Sequence, residues 1–358
     1  MRADLALIGF GNVARTFVRL LQDRSRLLLH DDDLECRIVG ITTRTHGTAY
    51  SSRGLDAIDA VRRVETGGSV SDLHNAADGE PPTSLTCIQR LATSEAPLRV
   101  VVETTPLSIE AGEPATGHVE TALSAGCDVV TANKGPVAFA YRRLASLADK
   151  AGVSFLFEGT VMDGIPVFNL VRETMPAVRI NGLRGVVNTM TNEIITALEH
   201  GEEFGTALKR MQAAGIAEAD PSLDVEGWDA AAKAAALANV LLDADVTPRQ
   251  VDRTGISGIS GDAVREALSR GMRLRLVASA RRGERPIVRP FELPARDLLA
   301  GMAGSANALV LQTDVLGEVA ICQLGGNLTQ TAYALLSDLV TVRRRHPAHH
   351  AAPARRTL

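Results

Sequence analysis

Long apolar runs are missing from this chain: no uncharged stretch approaches the length needed to cross a bilayer. Cysteine is scarce. Cys36, Cys87, Cys127 and Cys322 are scattered, form no CxxC pair and lack metal-ligand spacing, which argues against a disulfide framework or a thiolate metal site. Four isolated thiols are expected to be reduced, in a cytoplasmic protein. No sign of charge dominates, and a formal net charge of −4 gives no electrostatic reason to expect nucleic acid or a membrane as partner. The first residues enter a strand pattern at once, without the layout of a signal peptide. Internal repeats are absent. What is present is a hydrophobic content of 45% and a charged content of 22%, those of a soluble globular protein. A length of 358 residues implies two domains.

Leu5 to Ile8, Arg37 to Thr42, Arg99 to Glu103, Cys127 to Thr131 and Val153 to Phe157 read as strands. Helical patterns follow the first strand through Leu21 and fill Thr116–Ala125 and Pro136–Ala151. Apolar strands alternating with helices predict a parallel sheet covered on both faces. The stretch from Thr43 to Pro97, with Gly67-Gly68 and Pro81-Pro82, reads as a loosely built insertion without assigned function. From Gly159 the character changes. Strand-like pieces at Ile180–Val187 and Arg285–Arg289 alternate with helices at Asn192–Glu199, Glu203–Ala214 and Asp229–Leu242. The expected fold class is α/β: a Rossmann-like parallel-sheet domain over 1–158, with 311–342 returning to it. An α+β substrate-binding and oligomerisation domain occupies 159–310. Residues 343–358, rich in Arg, His, Ala and Pro without apolar period, read as a disordered tail.

Gly9-x-Gly11-x-x-Ala14 directly follows a strand and opens a helix, the context that a dinucleotide fingerprint requires. Gly9 suits the tight turn, Gly11 the close approach of a pyrophosphate, and Ala14 the packing of helix on strand. Asn12 and Val13 lie at the helix start, where free N–H groups would meet the phosphates. The second strand ends Thr42-Thr43-Arg44 in place of the acidic residue expected for NAD. Arg44 with two hydroxyls favours NADP(H) over NAD(H), although a solvated loop arginine fits the same position. Thr104 and Thr105, closing the third strand, complete the expected cofactor edge.

The segment Gly215 to Lys233 sets several carboxylates in a polar turn and then opens an Ala-rich helix. Asp229 and Lys233 are four residues apart and share one helix face. Taken alone, such a pair is more often a solvated ion pair than a catalytic one. Lys134 ends Val129-Val130-Thr131-Ala132-Asn133-Lys134, just past the carboxyl end of a strand, where open α/β sheets bind ligands. A surface lysine at a helix start is the plainer alternative.

Together these pieces, in this order, resemble the homoserine dehydrogenases. The likeness covers roughly residues 4 to 340. It rests on the glycine fingerprint, Thr-Ala-Asn-Lys at 131–134, Glu158 to Pro166, Gly215 to Lys233 and Gly325 to Thr331. Its most specific signature is Ala-Glu-Ala-Asp-Pro-x-x-Asp-x-x-Gly-x-Asp from Ala217 to Asp229. The resemblance implies NAD(P)-dependent interconversion of L-homoserine and L-aspartate 4-semialdehyde in a single-function form without a regulatory domain. It implies that Lys233 and Lys134 are the catalytic lysines and that Asp229 orients Lys233. Glu218 and Asp224 would hold the substrate amino group, with Thr189 and Met190 against the substrate. Gly326 would meet the cofactor. Glu158, Val161, Asp163 and Ile165 would hold a monovalent cation such as Na+, for which a plain structural turn is the alternative. The resemblance further implies a homodimer or homotetramer.

Two features depart from the family pattern. The usual Gly-Thr-Thr-Asn turn is here Thr189-Met190-Thr191-Asn192, and Ile216 stands where Tyr is common. Each removes a polar contact, so a related hydroxy or amino-alcohol substrate stays open beside homoserine. A cofactor-binding regulator without turnover is the reading from another class. It would need a partner surface, for which the tail from Arg343 is the candidate.

Overall fold

The computed structural model describes residues 1–213 and 220–346. The chain divides into two compact units, one made of residues 1–136, 142–166 and 327–346, the other of 137–141 with 167–326.

In the first unit β1 (Arg2–Ile8) leads through Gly9–Gly11 into α1 (Asn12–Asp32), then β2 (Glu35–Thr42) and β3 (Thr48–Tyr50). Two nine-residue helices, α2 (Ala57–Glu65) and α3 (Ser84–Ala92), precede β4 (Leu98–Glu103). After α4 (Ala115–Ser124), β5 (Asp128–Thr131), α5 (Lys134–Ala151) and β6 (Phe155–Leu156) follow. The sheet order is β3-β2-β1-β4-β5-β6, parallel throughout except for the β2–β3 hairpin. The chain leaves β1 in one direction to β2 and returns past it to β4. The carboxyl ends of β1 and β4 therefore form a topological switch point. Leu5 and Leu7 on β1 and Val100 and Val102 on β4 lie in the buried core against Phe17 and Val18 of α1.

The expected loose insertion is not loose. Asp56 accepts from the Asp59 amide and caps α2, whose Ala60, Val61 and Val64 are buried; Thr83 caps α3, whose Cys87, Ile88 and Leu91 are buried. Helices this short carry too few turns to show a period among Gly, Pro and polar residues.

The second unit begins with α6 (Phe168–Thr174), β7 (Ile180–Val186), α7 (Thr189–Glu199), α8 (Phe204–Ala213), α9 (Ser222–Val225) and α10 (Trp228–Leu241). It continues through β8 (Asp252–Arg253), α11 (Gly261–Ser269), β9 (Met272–Arg281), β10 (Ile287–Pro294), β11 (Asn307–Thr313) and β12 (Glu318–Gln323). Its sheet, ordered β12-β11-β7-β9-β10-β8, is antiparallel except where β10 pairs with β8. Ala230 to Ala238 are buried around nearly the whole circumference of α10, as a hydrophobic helix inside a domain should be. Alanine also gives it the highest intrinsic helix propensity.

Three expected boundaries need correction. The return to the first unit begins at Asn327 rather than 311, because β11 inserts between β7 and β12 and completes the second sheet. The first unit runs to residue 166, because Glu158 donates its backbone N–H to Asp338 and Asp163 accepts from Thr331, both on α12 (Leu328–Arg345). The tail does not begin at 343. Helix α12 runs to Arg345, with Arg343 buried and paired to Asp33, and Arg344 paired to Asp32 at 2.7 Å. The acidic end of α1 thus anchors a basic helix terminus, where cations also suit the helix dipole.

Candidate functional site

The first unit supplies a cradle at its switch point. Gly9 has φ +89°, and a Cβ there would lie 2.8 Å from the Thr104 carbonyl carbon and oxygen and the Thr105 nitrogen, so no other residue fits without displacing the Thr104–Thr105 backbone that follows β4. The Gly9 N–H donates to the Thr42 carbonyl at 3.0 Å, and the Thr104 hydroxyl donates to the Gly9 carbonyl at 3.1 Å. Gly11 is the N-cap of α1; nothing lies within 4 Å of a Cβ built on it, and among the described residues no side chain caps this helix. Side chains do cap α2, α3, α5, α7, α11 and α12, while α4, α6, α9 and α10 share the uncapped start of α1. Open backbone N–H groups beside a glycine turn fit a pyrophosphate, and Ala14, fully buried, lets α1 sit close to the sheet. Asn12 is exposed, Val13 half-buried. Arg15 fastens this turn, donating to the Phe10 carbonyl at 2.9 Å and to Asn12 Oδ1 at 2.6 Å.

Arg44 is exposed in the β2–β3 turn. The two hydroxyls expected beside it are engaged elsewhere: Thr42 Oγ1 lies 3.1 Å from Ser84 Oγ, and Thr43 Oγ1 donates to the Gly47 carbonyl and accepts from the His46 amide. They shape the turn, leaving the guanidinium of Arg44 as its exposed polar group from that trio.

Lys134 is the first residue of α5, half-buried, beyond the carboxyl end of β5. Its placement is set by a hydrogen-bond network through Glu103, Thr105, Thr131 and Asn133. Glu103, fully buried at the end of β4, accepts from the Thr105 N–H at 3.0 Å, from the Thr105 hydroxyl and from Thr131 Oγ1 at 3.1 Å. Thr131 Oγ1 accepts the Asn133 N–H at 3.0 Å. Asn133 Nδ2 donates to the Thr105 carbonyl at 2.8 Å while its Oδ1 caps α5 through the Gly135 N–H. One buried carboxylate therefore ties the Thr104-Thr105 edge to the residue preceding Lys134.

In the second unit Asp229 and Lys233 do pair, with Nζ 3.1 Å from Oδ2 and side chains 18% and 15% exposed. A solvated surface pair is ruled out by that burial. Lys233 Nζ also donates to the Val187 carbonyl at 2.5 Å. Asn188, a residue the sequence reading did not assign, donates from Nδ2 to Asp224 Oδ1 at 2.6 Å and to Asp229 Oδ2 at 2.9 Å. An asparagine immediately before a helical pattern is an N-cap signal, and that signal could have drawn attention to it. Thr189 Oγ1 accepts from Asn307 at 3.0 Å and Met190 is buried in α7. The Thr189 hydroxyl is thus held by the protein itself. Glu218 and Ile216 lie outside the described residues.

Gly326 is exposed between β12 and α12. Glu158 is buried, as is Val161; Asp163 adopts φ +49°, and Ile165 donates its N–H to the Met162 carbonyl. Among the described residues no group of three or more His, Cys, Asp or Glu could hold a metal ion, so a carboxylate-rich divalent site is not what this turn offers. No helix among them is long and apolar enough to cross a membrane.

Comparison with known proteins agrees with this geometry. Residues 166–340 match the family model described as homoserine dehydrogenase, and residues 9–158 the model described as homoserine dehydrogenase, NAD binding domain. The NAD(+)-dependent homoserine dehydrogenase of Pseudomonas canavaninivorans is 34% identical over 342 residues, 94% of this chain and 95% of the relative. The homoserine dehydrogenase of Methanocaldococcus jannaschii is 35% identical over 340 residues, 95% of this chain and 98% of the relative. Among solved structures, a putative homoserine dehydrogenase from Archaeoglobus fulgidus superposes with a TM-score of 0.82 at 28% identity, covering 95% of this chain and 99% of that one. A hyperthermophilic archaeal homoserine dehydrogenase in complex with NADPH gives 0.78 at 28% identity, covering 97% and 99%. A nicotinamide-dinucleotide cradle, a buried lysine–aspartate pair and these likenesses converge: the chain belongs to the homoserine dehydrogenase family, NAD(P)-dependent oxidoreductases acting on a CH–OH group.

Proposed function

We propose that this enzyme interconverts L-homoserine and L-aspartate 4-semialdehyde, that Lys233 moves the hydroxyl proton, and that NADP(H) is preferred to NAD(H). The observation that carries the reading is Lys233 Nζ, held by Asp229 at 3.1 Å and the Val187 carbonyl at 2.5 Å in a mostly buried position. Both contacts stabilise an ammonium. In the oxidising direction they stabilise the ammonium that results from taking the hydroxyl proton; in the reducing direction they keep the group charged, with a proton to give to a forming alkoxide, while making it a weaker acid. The nicotinamide, when bound, supplies or accepts the hydride. Gly9, Gly11, Asn12, Val13, Ala14, Thr104, Thr105 and Gly326 are assigned to the cofactor, and Lys134 to cofactor contact and to the charge developing on oxygen. Glu218 and Asp224 are assigned to the substrate ammonium, with Thr189 and Met190 beside the substrate. The cation, if bound by Glu158, Val161, Asp163 and Ile165, would order the 158–166 turn and take no part in proton transfer. A homodimer or homotetramer in the cytoplasm completes the assignment.

The preference for the phosphorylated cofactor rests on Arg44, exposed after β2 where NAD-binding folds place a carboxylate. The relatives include both kinds, one NAD(+)-dependent and one complexed with NADPH. A panel of hydroxy and amino-alcohol substrates with NADP+ and with NAD+, followed by absorbance of the reduced nicotinamide, tests both halves. L-homoserine with NADP+ is expected to give the highest kcat/KM. Arg44→Asp should lower the NADP+/NAD+ ratio by about tenfold or more, as expected from removing a cation that faces a phosphate. Greater turnover of another compound would displace homoserine, and an unchanged ratio would remove Arg44 from cofactor choice.

A further inference from the structure

We infer that Asn188 is a positioning residue for the reaction: its side-chain amide fixes Asp224 in register with the Asp229–Lys233 pair. The inference rests on the roles given above to Lys233 and Asp224. Every hydrogen-bonding position of the Asn188 amide is used. Its two N–H bonds go to Asp224 Oδ1 at 2.6 Å and Asp229 Oδ2 at 2.9 Å, and its Oδ1 accepts from the Thr191 N–H and the Thr191 hydroxyl, each at 2.9 Å. The amide has one permitted orientation, because turning it over would set its oxygen against two carboxylates and its NH2 against a backbone N–H. The side chain is buried, which strengthens each of these bonds and penalises losing any of them.

Consecutive residues of the β7–α7 junction thereby hold both partners of the ion pair. The Val187 carbonyl takes the ammonium of Lys233, and the Asn188 side chain takes the carboxylate of Asp229. The same nitrogen that holds Asp229 holds Asp224, so two like charges are brought close with a donor between them to offset their repulsion. The junction itself is fixed. Asn188 caps α7, Asn192 Nδ2 donates to the Gly304 and Ala306 carbonyls, and Glu199 at the far end pairs with the buried Arg275 at 2.8 Å. Asn188 is thus a rigid spacer between the carboxylate assigned to the substrate ammonium and the pair assigned to its hydroxyl.

Asn188→Ser isolates this role, since serine caps a helix about as well as asparagine but cannot donate to two carboxylates. The variant is expected to stay folded with a modestly lowered Tm and an unchanged NADPH Kd, and, assayed well below that Tm, to lose about 30-fold or more in kcat/KM for L-homoserine, as two bonds to charged acceptors are removed. Asn188→Asp keeps the capping oxygen as well but sets a third carboxylate against two; its loss should be larger still, and a thermal melt of each variant separates lost folding from lost positioning. In an Asp224→Asn background the effect of Asn188→Ser should shrink at least about fivefold, because the two residues act through one contact. Either capping variant within threefold of the parent, or full additivity with Asp224→Asn, overturns the inference. Lys233→Ala in the same assays separates the two claims. An inactive Lys233→Ala beside a normal Asn188→Ser defeats the inference alone. An active Lys233→Ala defeats the proton-transfer reading, while coupling between Asn188 and Asp224 in the homoserine KM still reports on the spacer.

Discussion

At the scale of single residues, the site is built from groups whose neighbours leave them little choice. Gly9 combines positive φ with a backbone wall at 2.8 Å. Gly9→Ala is therefore expected to cost about 2–3 kcal/mol through strain and the displacement of Thr104. NADPH binding should weaken together with Tm, read by fluorescence titration and thermal melting, whereas Gly11→Ala should leave Tm nearly unchanged because its Cβ would meet nothing within 4 Å. Equal melting losses in the two variants would contradict this account of the cradle. Gly9, Gly11 and Ala14 are legible from spacing and context, whereas Lys134, Asp229 and Lys233 gain a role only through the family resemblance, their spacing alone fitting surface residues as well. Glu103, Asn133 and Asn188 are legible in neither way. Their importance lies in hydrogen bonds across 28 to 41 positions of chain, which no local pattern encodes.

At the scale of elements, long periodic segments were readable and short or composite ones were not. The strands at 99–103 and 127–131 and the helix at 136–151 lie within one or two residues of where the structure has them. Helices α2 and α3 hid inside a stretch dominated by Gly, Pro and polar residues. The sequence alone does not mark β9, β11 or β12 as strands, and the end of β11 falls within the segment expected to return to the first unit. Its apolar residues could serve either unit, and only pairing with β7 and β12 decides the matter. Helix α12 belongs to the first unit through Leu335, Leu339 and Val342, which lie in the core that includes α1. Leu339→Ala should destabilise the protein by about 2–5 kcal/mol, as loss of a fully buried leucine does, seen as a fall in the urea midpoint. A change below 1 kcal/mol would show that α12 is dispensable to that core.

At the scale of the whole molecule, thiol chemistry offers an independent check on the packing. Burial pushes the Cys36 and Cys87 thiols up to about 12 and the Cys127 thiol up to about 11, so their reactive thiolates are scarce at neutral pH, while Cys322 is exposed on β12. A thiol reagent at pH 7.5 is expected to label Cys322 rapidly, the half-buried Cys36 slowly, and Cys87 and Cys127 only on unfolding. Fast labelling of Cys87 in the native protein would contradict the placement of α3 on the sheet. The central claim concerns chemistry, however, and single-turnover kinetics address it most directly. With Lys233→Ala saturated in NADPH and mixed with L-aspartate 4-semialdehyde, NADPH consumption should slow by at least about a hundredfold, the usual worth of a positioned acid, at an unchanged NADPH Kd. Consumption within threefold of the parent rate would contradict the account.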